Sequence, residues 1–348
     1  MSYYSRRLLP FAIIGVLVFL IFYYAIQVFF LYIESQKPKQ ILIEDEFGKI
    51  KRPIVKNAFT GTNFTYTLDT VEGQPITATD SAQVFFFPPS TARFGFRDKI
   101  YVVAKTLGFN TELTKHTLDG TQAIFTEPNQ RLSIDITNFN FTYEYEIAQD
   151  EDVLKNTTIP RPEDIEEKAM DFLRTISRYP EELAKGKLNI IYHVYDRENN
   201  RLTSTSRPQD ANVVEVDFYR PDIEAQPQSI AVVAPKYFNS QNYVIMVFGE
   251  NGFKVLKAQV QFFEKSDGTV GIYPLKTGDQ AYEALRAGKG IVVSRAENAP
   301  TNITIKKMFL GYYDPDTYQE YLQPIYVFLG EHEFVGYVPA VRDDYVIE

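Results

Sequence analysis

Between Leu8 and Ile33 the chain carries no Asp, Glu, Lys or Arg, and Gln27 is the one strongly polar residue. As a helix this run would reach about 39 Å, against a hydrocarbon core of about 30 Å, so it can cross a bilayer with tilt. Tyr3, Tyr4 and Tyr32 fall near its ends, where interfacial aromatic residues belong. A cleaved signal peptide would need a shorter apolar core, about 7–15 residues, and small residues at its exit. The exit here is Phe29-Phe30-Leu31-Tyr32-Ile33-Glu34, which is bulky. The segment is therefore expected to remain as an anchor, with the lipid bilayer as partner through residues 8–33. Arg6 and Arg7 flank the short side and Lys37 and Lys39 the other, so positive charge alone gives a near tie on orientation. The downstream part is acidic, Thr-rich and free of Cys. On that ground the expectation is a single-pass cell-membrane protein with a cytoplasmic N-terminus and the bulk of the chain extracytoplasmic.

Charge and composition remove several function classes. Lys and Arg total 36 against 45 Asp and Glu, a formal net charge of -9, so there is no basic footprint for nucleic acid. With no Cys, disulfides, thiolate metal sites and Cys nucleophiles are excluded together. Three His leave little for metal or acid–base work, while 27 Phe and 24 Tyr lean toward strands.

Residues 34–57 are polar and charged and read as a juxtamembrane stalk. Beyond them a helix is followed by antiparallel strands three times over. Strand-like alternation marks Phe64–Leu68, and Ala82–Phe87 is a buried strand stopped by Pro88 and Pro89. Ile100, Val103, Ala104 and Leu107 form an apolar helix face closed by Gly108, before strands at Gln122–Thr126, Leu132–Thr137 and Phe139–Ile147. Ile165, Ala169, Phe172, Leu173 and Ile176 mark a second helix, entered through Pro162 and stopped by Pro180. Leu188–Tyr195, Leu202–Ser206 and Val213–Tyr219 follow as strands, then a hairpin in which Tyr243–Phe248 and Lys254–Phe263 bracket Glu250-Asn251-Gly252. A third helix, Asp279–Ala287, opens on a Thr277/Gln280 capping box and ends at Gly288. Ile303–Leu310, Pro324–Leu329 and Phe334–Val338 complete the strands. The stretch Ile124–Leu132 resembles Val194–Leu202, each a strand, an Asn-bearing turn and an Arg-Leu opening. The expected fold class is α+β: an N-terminal transmembrane helix followed by tandem modules of one helix packed on antiparallel sheet. The boundaries read as 1–33 cytoplasmic tip and transmembrane helix, 34–57 stalk, 58–150 first module and 151–348 second and third modules.

The helix carrying an Ala with a Gly exit, followed by a meander, resembles a PepSY-like module. Tyr273-Pro-Leu, Ala281–Gly290, Leu310-Gly-Tyr-Tyr and Tyr321–Phe328 through Phe334–Ala340 resemble the YycH/YycI-type regulatory proteins of bacterial envelopes. The resemblance implies a single-pass anchor, an extracytoplasmic domain of tandem modules and a non-catalytic regulator of a membrane sensor kinase.

A search for chemistry returns no catalytic, cofactor-binding or metal site, and no cofactor is expected. Gly288-Lys-Gly290 lies at a helix C-terminus, the wrong end for anion binding. Glu331-His332-Glu333 reads as a solvated hairpin tip, His193 as a packed or sheet-surface residue, and His116 as part of an exposed polar loop. Asp314-Pro-Asp316 lacks the Gly and Glu of a calcium loop and reads as a turn capping a short helix at Thr317–Tyr321. Asp343 and Asp344 are adjacent in a terminal tail rather than opposed across a cleft. Asn63, Asn140, Asn156 and Asn302 sit in Asn-x-Thr sequons, above the roughly two that chance gives. Phe85-Phe-Phe87 and Phe262-Phe263 read as core, with a groove for peptide or glycan as the competing view. The expected function is a regulatory or sensing protein that binds another envelope protein without turnover. The alternatives are a structural or assembly subunit of an adhesion, pilus or secretion complex, and an envelope enzyme.

Overall fold

The computed structural model describes residues 3–36, 43–56, 59, 64–92, 94–112, 115–119, 121–150, 152–225, 228–250 and 252–347. It divides into two units, Met1–Leu42 and Ile43–Glu348. Among the described residues there are five α-helices: α1 Tyr3–Gln36, α2 Phe96–Thr106, α3 Pro162–Thr175, α4 Glu181–Ala184 and α5 Gly278–Arg286.

The first unit is α1. Its window Ile14–Leu31 has a mean hydropathy of 2.4 and is long and apolar enough to cross a membrane. Ile21, Phe22 and Phe30 are each more than half exposed, a state water would penalise and lipid would not.

In the second unit, nine described strands form one antiparallel sheet. Its order is 115–119, 122–127, 130–135, 141–145, 252–260, 243–249, 213–219, 187–196, 201–205. Helices α2 and α3 supply Ile100, Val103 and Ala104, and Ile165, Ala169, Phe172 and Leu173, to a core shared with Phe125, Leu132, Val214, Val216 and Phe218. The periodicities of both helices thus do what their spacing predicts. Gly108 has φ +88 and the Phe109 N–H reaches back to the Ala104 carbonyl, a C-terminal closure that a side-chain-bearing residue resists. Gly249 pairs with Gly252 across the hairpin that the Glu250–Gly252 signal marks.

The second sheet is built on the strands 231–233, 302–313, 321–330, 335–339 and 291–294, in that order. Ala281 and Leu285 of α5 pack on it beside Ile303, Ile305, Tyr326 and Phe328. The Thr277/Gln280 capping box is present, with the Gln280 N–H donating to Thr277 Oγ1 at 3.2 Å.

Hydrogen bonding corrects three parts of the expected organisation. First, residues 58–150 do not form one module. Thr65–Leu68 pairs in parallel with Asn302–Ile305, and Ser81–Phe86 pairs with Val270–Pro274 and Tyr321–Leu322. Both early strands belong to the C-terminal sheet. The remainder of that segment joins the next one, because 141–145 pairs with 257–260. Second, much of the 34–57 stalk is folded structure. Ile50–Lys51 pairs with Val346–Ile347, Ile50 is fully buried, and the Phe47 ring stacks on Tyr273 at 6.4 Å. Apolar Phe47 and Ile50 were hidden among charges in sequence but find a core to enter. Third, Thr317–Tyr321 is not helical. The chain bends there and the next strand begins at Tyr321, whose neighbour Leu322 is buried opposite Phe85.

Candidate functional site

The strand Val213–Tyr219 lies inside the nine-stranded sheet, and Val213 to Phe218 are all buried. Strand alternation puts Val214, Val216 and Phe218 on the helix-covered face and Glu215, Asp217 and Tyr219 on the other. That second face would be wet in a simple two-layer sheet. Instead the segment around Phe238–Ser240 closes over it. The Ser240 N–H donates to Asp217 Oδ2 at 3.0 Å, and the Tyr219 hydroxyl lies 3.1 Å from both Asp217 Oδ2 and the Phe238 carbonyl oxygen. On the neighbouring strand, His193 Nε2 is 2.7 Å from Glu215 Oε2.

The result is a row of three titratable groups, His193, Glu215 and Asp217, with no more than 9% of any residue exposed. Burial is the larger cause that pushes the Asp217 carboxyl up to about 7, and the neighbouring Glu215 carboxylate adds to it; the Ser240 N–H and Tyr219 hydroxyl oppose the rise. Burial and the two carboxylates together push the Tyr219 phenol well above its usual range. Among the described residues, Asp217 Oδ1 and His193 Nδ1 find no hydrogen-bond partner. Chemically the row can hold a proton at neutral pH, but it is closed to a substrate.

One residue beyond the strand, the fully enclosed guanidinium of Arg220 joins the two sheets. It donates to Asp314 Oδ1 at 3.1 Å, Glu182 Oε2 at 2.7 Å and the Phe263 carbonyl at 2.7 Å, and lies 4.0 Å from the Phe262 ring centre. Gln241 completes the Asp314 carboxylate at 2.8 Å. Burial raises the Asp314 pKa against the opposing pull of Arg220. Each of the three guanidinium nitrogens of Arg220 donates to an acceptor, which helps a buried ion pair to be tolerated.

The residues singled out in sequence are dispersed. His193 is buried and paired as above. His116 lies in the strand Lys115–Asp119 rather than a loop, and its side chain falls outside the described residues. Glu331 pairs with Lys306 at 3.1 Å, while His332 and Glu333 form a tight turn at φ 57 and 58. Among the described residues no three His, Asp or Glu side chains converge as a metal site would require. Gly288-Lys-Gly290 follows the C-terminal end of α5. Asp343 accepts from Lys276 at 3.0 Å, and Asp344 pairs with Arg342. Phe85 and Phe87 are buried with Phe263, and Phe262 lies under Arg220. Of the sequons, Asn140 is buried, with Oδ1 accepting from the Phe262 N–H and from Arg178; Asn156 and Asn302 bond to Glu250 and Thr65, and Asn63 lies outside the described residues.

Glu215, Asp217 and Arg220 escaped the sequence reading. The i, i+2 carboxylates in Val-Val-Glu-Val-Asp-Phe-Tyr mark one strand face, which alternation alone assigns to water.

No family model matches the chain, and no curated protein matches it in sequence. Solved structures similar to it include an uncharacterized protein from Eubacterium rectale ATCC 33656, at 14% identity and a TM-score of 0.36, covering 83% of this chain and 91% of that one. YycH from Bacillus subtilis is similar at 12% identity and a TM-score of 0.34, covering 77% of this chain and 54% of that one.

Proposed function

We propose that this is a single-pass envelope protein whose folded unit works outside the cytoplasm by binding another envelope protein, in a regulatory or sensing role and without turnover. The observation that carries the reading is the pairing of two parts: an exposed apolar helix, Ile14–Leu31, and a separate compact unit from Ile43 with its own cores. A helix of that hydropathy needs lipid or protein around it. A folded unit attached to such a helix is confined to the membrane surface, where a partner in the same membrane meets it at high effective concentration. The titratable groups around Asp217 and Arg220 are buried among the strands and are read as serving the fold. The partner class we propose is a membrane protein of the sensor-kinase type, as the resemblance of the 273–340 stretch to YycH/YycI-type regulators implies.

The test is membrane fractionation with alkaline carbonate, followed by protease treatment of spheroplasts. The chain should stay in the membrane pellet, and protease should digest the Ile43–Glu348 unit without lysis. Release by carbonate would remove the anchor; a C-terminal epitope protected until lysis would reverse the orientation.

A further inference from the structure

In the Ile43–Glu348 unit two large apolar side chains stand almost wholly in solvent among the described residues: Phe94, 110% exposed, and Val71, 99% exposed. Their surroundings differ in charge. Val71 is followed by Glu72, with Asp69 two residues before it, and the chain has no Lys or Arg between positions 57 and 92. Phe94 opens a segment that is positive.

Local geometry turns Phe94 outward. Gly95 takes φ 80, in the left-handed region, and so bends the chain into α2. Beyond that bend Phe96 packs against the core that holds Ile100, Val103 and Ala104, while Phe94 stays outside it. Helical periodicity then places Asp98, Val102 and Lys105 on the side of α2 opposite Ile100, Val103 and Ala104. Val102 is 54% exposed, and Arg97 and Lys105 are exposed as well. The stretch from Phe96 to Lys105 is about 14 Å long, so the ring and the cations share one end of the unit's surface.

Arg97, Lys99 and Lys105 stand against one acid, Asp98, in a chain whose formal net charge is -9. Lys99 lies over the Phe139 ring at 4.1 Å. Among the described residues neither Arg97 nor Lys105 forms an ion pair, although carboxylates outnumber cations in the chain. Seven residue steps separate Gln36, the end of α1, from Ile43, at most about 25 Å of extended chain. A helix inserted in a bilayer therefore keeps the unit within reach of lipid headgroups.

We propose that Phe94, with the α2 cations Arg97 and Lys105, docks on an anionic lipid surface. The ring enters the headgroup layer and the cations meet phosphate oxygens. The proposal rests on the anchored-protein reading above and adds a second, peripheral contact with the same membrane. Aromatic rings flanked by Lys or Arg suit an anionic headgroup layer, which repels an acidic stretch such as that around Val71. A fluid headgroup layer closes around a single protruding ring, which a protein surface does only through a matching pocket.

The test uses the full chain in nanodiscs. The chain has no Trp, so one introduced Trp is the sole reporter. Phe94→Trp and, as control, Val71→Trp are placed in discs of phosphatidylcholine alone or mixed with phosphatidylglycerol, each with and without acyl chains brominated near the headgroups to quench Trp on contact. Phe94→Trp emission should shift to shorter wavelength and be quenched in the phosphatidylglycerol discs. Both effects should be lost when Arg97→Glu and Lys105→Glu are added, with circular dichroism unchanged because both positions are exposed. Val71→Trp should stay unquenched in either lipid. Phe94→Trp emission typical of water in every disc would overturn the proposal and leave the ring to a protein partner. Quenching that is equal in phosphatidylcholine, indifferent to the charge reversals or matched by Val71→Trp would overturn it too. Co-elution of the chain with the discs reports the anchor itself, so failure of docking is distinguishable from failure of the anchored-protein reading.

Discussion

Asp217→Asn keeps the shape of a buried side chain and removes its ionisation, which makes it the sharpest probe of the closed polar row. In the folded protein the carboxyl is pushed up to about 7, from an ordinary value of 3.8. Between those values the folded state keeps a proton that the unfolded state has lost. Folding is therefore favoured at the acid end, and the contribution is fully present below about pH 4 and lost as pH rises through about 7. At 1.36 kcal/mol for each factor of ten, the whole window is worth about 4 kcal/mol, an upper bound because Glu215 shares the site. The assay is urea denaturation of wild type and Asp217→Asn in a zwitterionic detergent, followed by tyrosine fluorescence at several values from about pH 5 to pH 8. The chain has 24 Tyr and no Trp, so tyrosine is the reporter. Wild-type stability should fall relative to the variant by about 1 kcal/mol per pH unit across the middle of that range. Parallel pH profiles for the two proteins would refute the reasoning, because Asp217 would then be ionised in the fold at neutral pH. A slope abolished by Glu215→Gln but not by Asp217→Asn would place the proton on the other carboxyl.

Three further outcomes follow from the packing. Arg220→Met strands Asp314 and Glu182 without their cation and should cost about 3–5 kcal/mol in the same denaturation assay, with Asp314→Asn added to it recovering part of the loss; a near-neutral single variant would show the junction is not closed to water. Phe172→Asp places a charge in the α3 core and should abolish cooperative melting by circular dichroism, whereas an unchanged melt would mean that α3 presents another face. Chains beginning at Ile43 and at Ile54 differ by the buried Ile50 and the Phe47–Tyr273 stack, about 2 kcal/mol, so in a unit this large the shorter should melt about 3 °C lower; equal melting temperatures would return residues 43–53 to the role of a stalk.

What was legible in the sequence was local. Ile165, Ala169, Phe172 and Leu173 show their shared face through 3.6-residue spacing, and Thr277 with Gln280 announces a cap three residues away. The anchor is legible for the same reason, since a run without charge needs no partner to define it. What was not legible depends on pairings across the chain. Thr65–Leu68 alternates like any strand, and nothing near it says that it joins Asn302–Ile305 rather than its neighbours. Phe47 and Ile50 read as incidental in a charged stretch until Tyr273 and Val346 are brought to them. The polar row was hidden by a sound rule. Alternation in Val213–Tyr219 correctly separates the two faces, but only the fold reveals that Ser240 and its neighbours close over Asp217.

The central claim is that the folded unit works at the membrane by contacting another envelope protein. Photocrosslinking in living cells tests it most directly, with a photoreactive residue introduced singly at exposed or half-exposed positions Phe253, Phe309 and Tyr318, and at Thr203. The account predicts a discrete adduct to a membrane or envelope protein from Phe253, Phe309 or Tyr318 that Thr203 does not give. Absence of an adduct at every position, or adducts to cytoplasmic proteins alone, would contradict it.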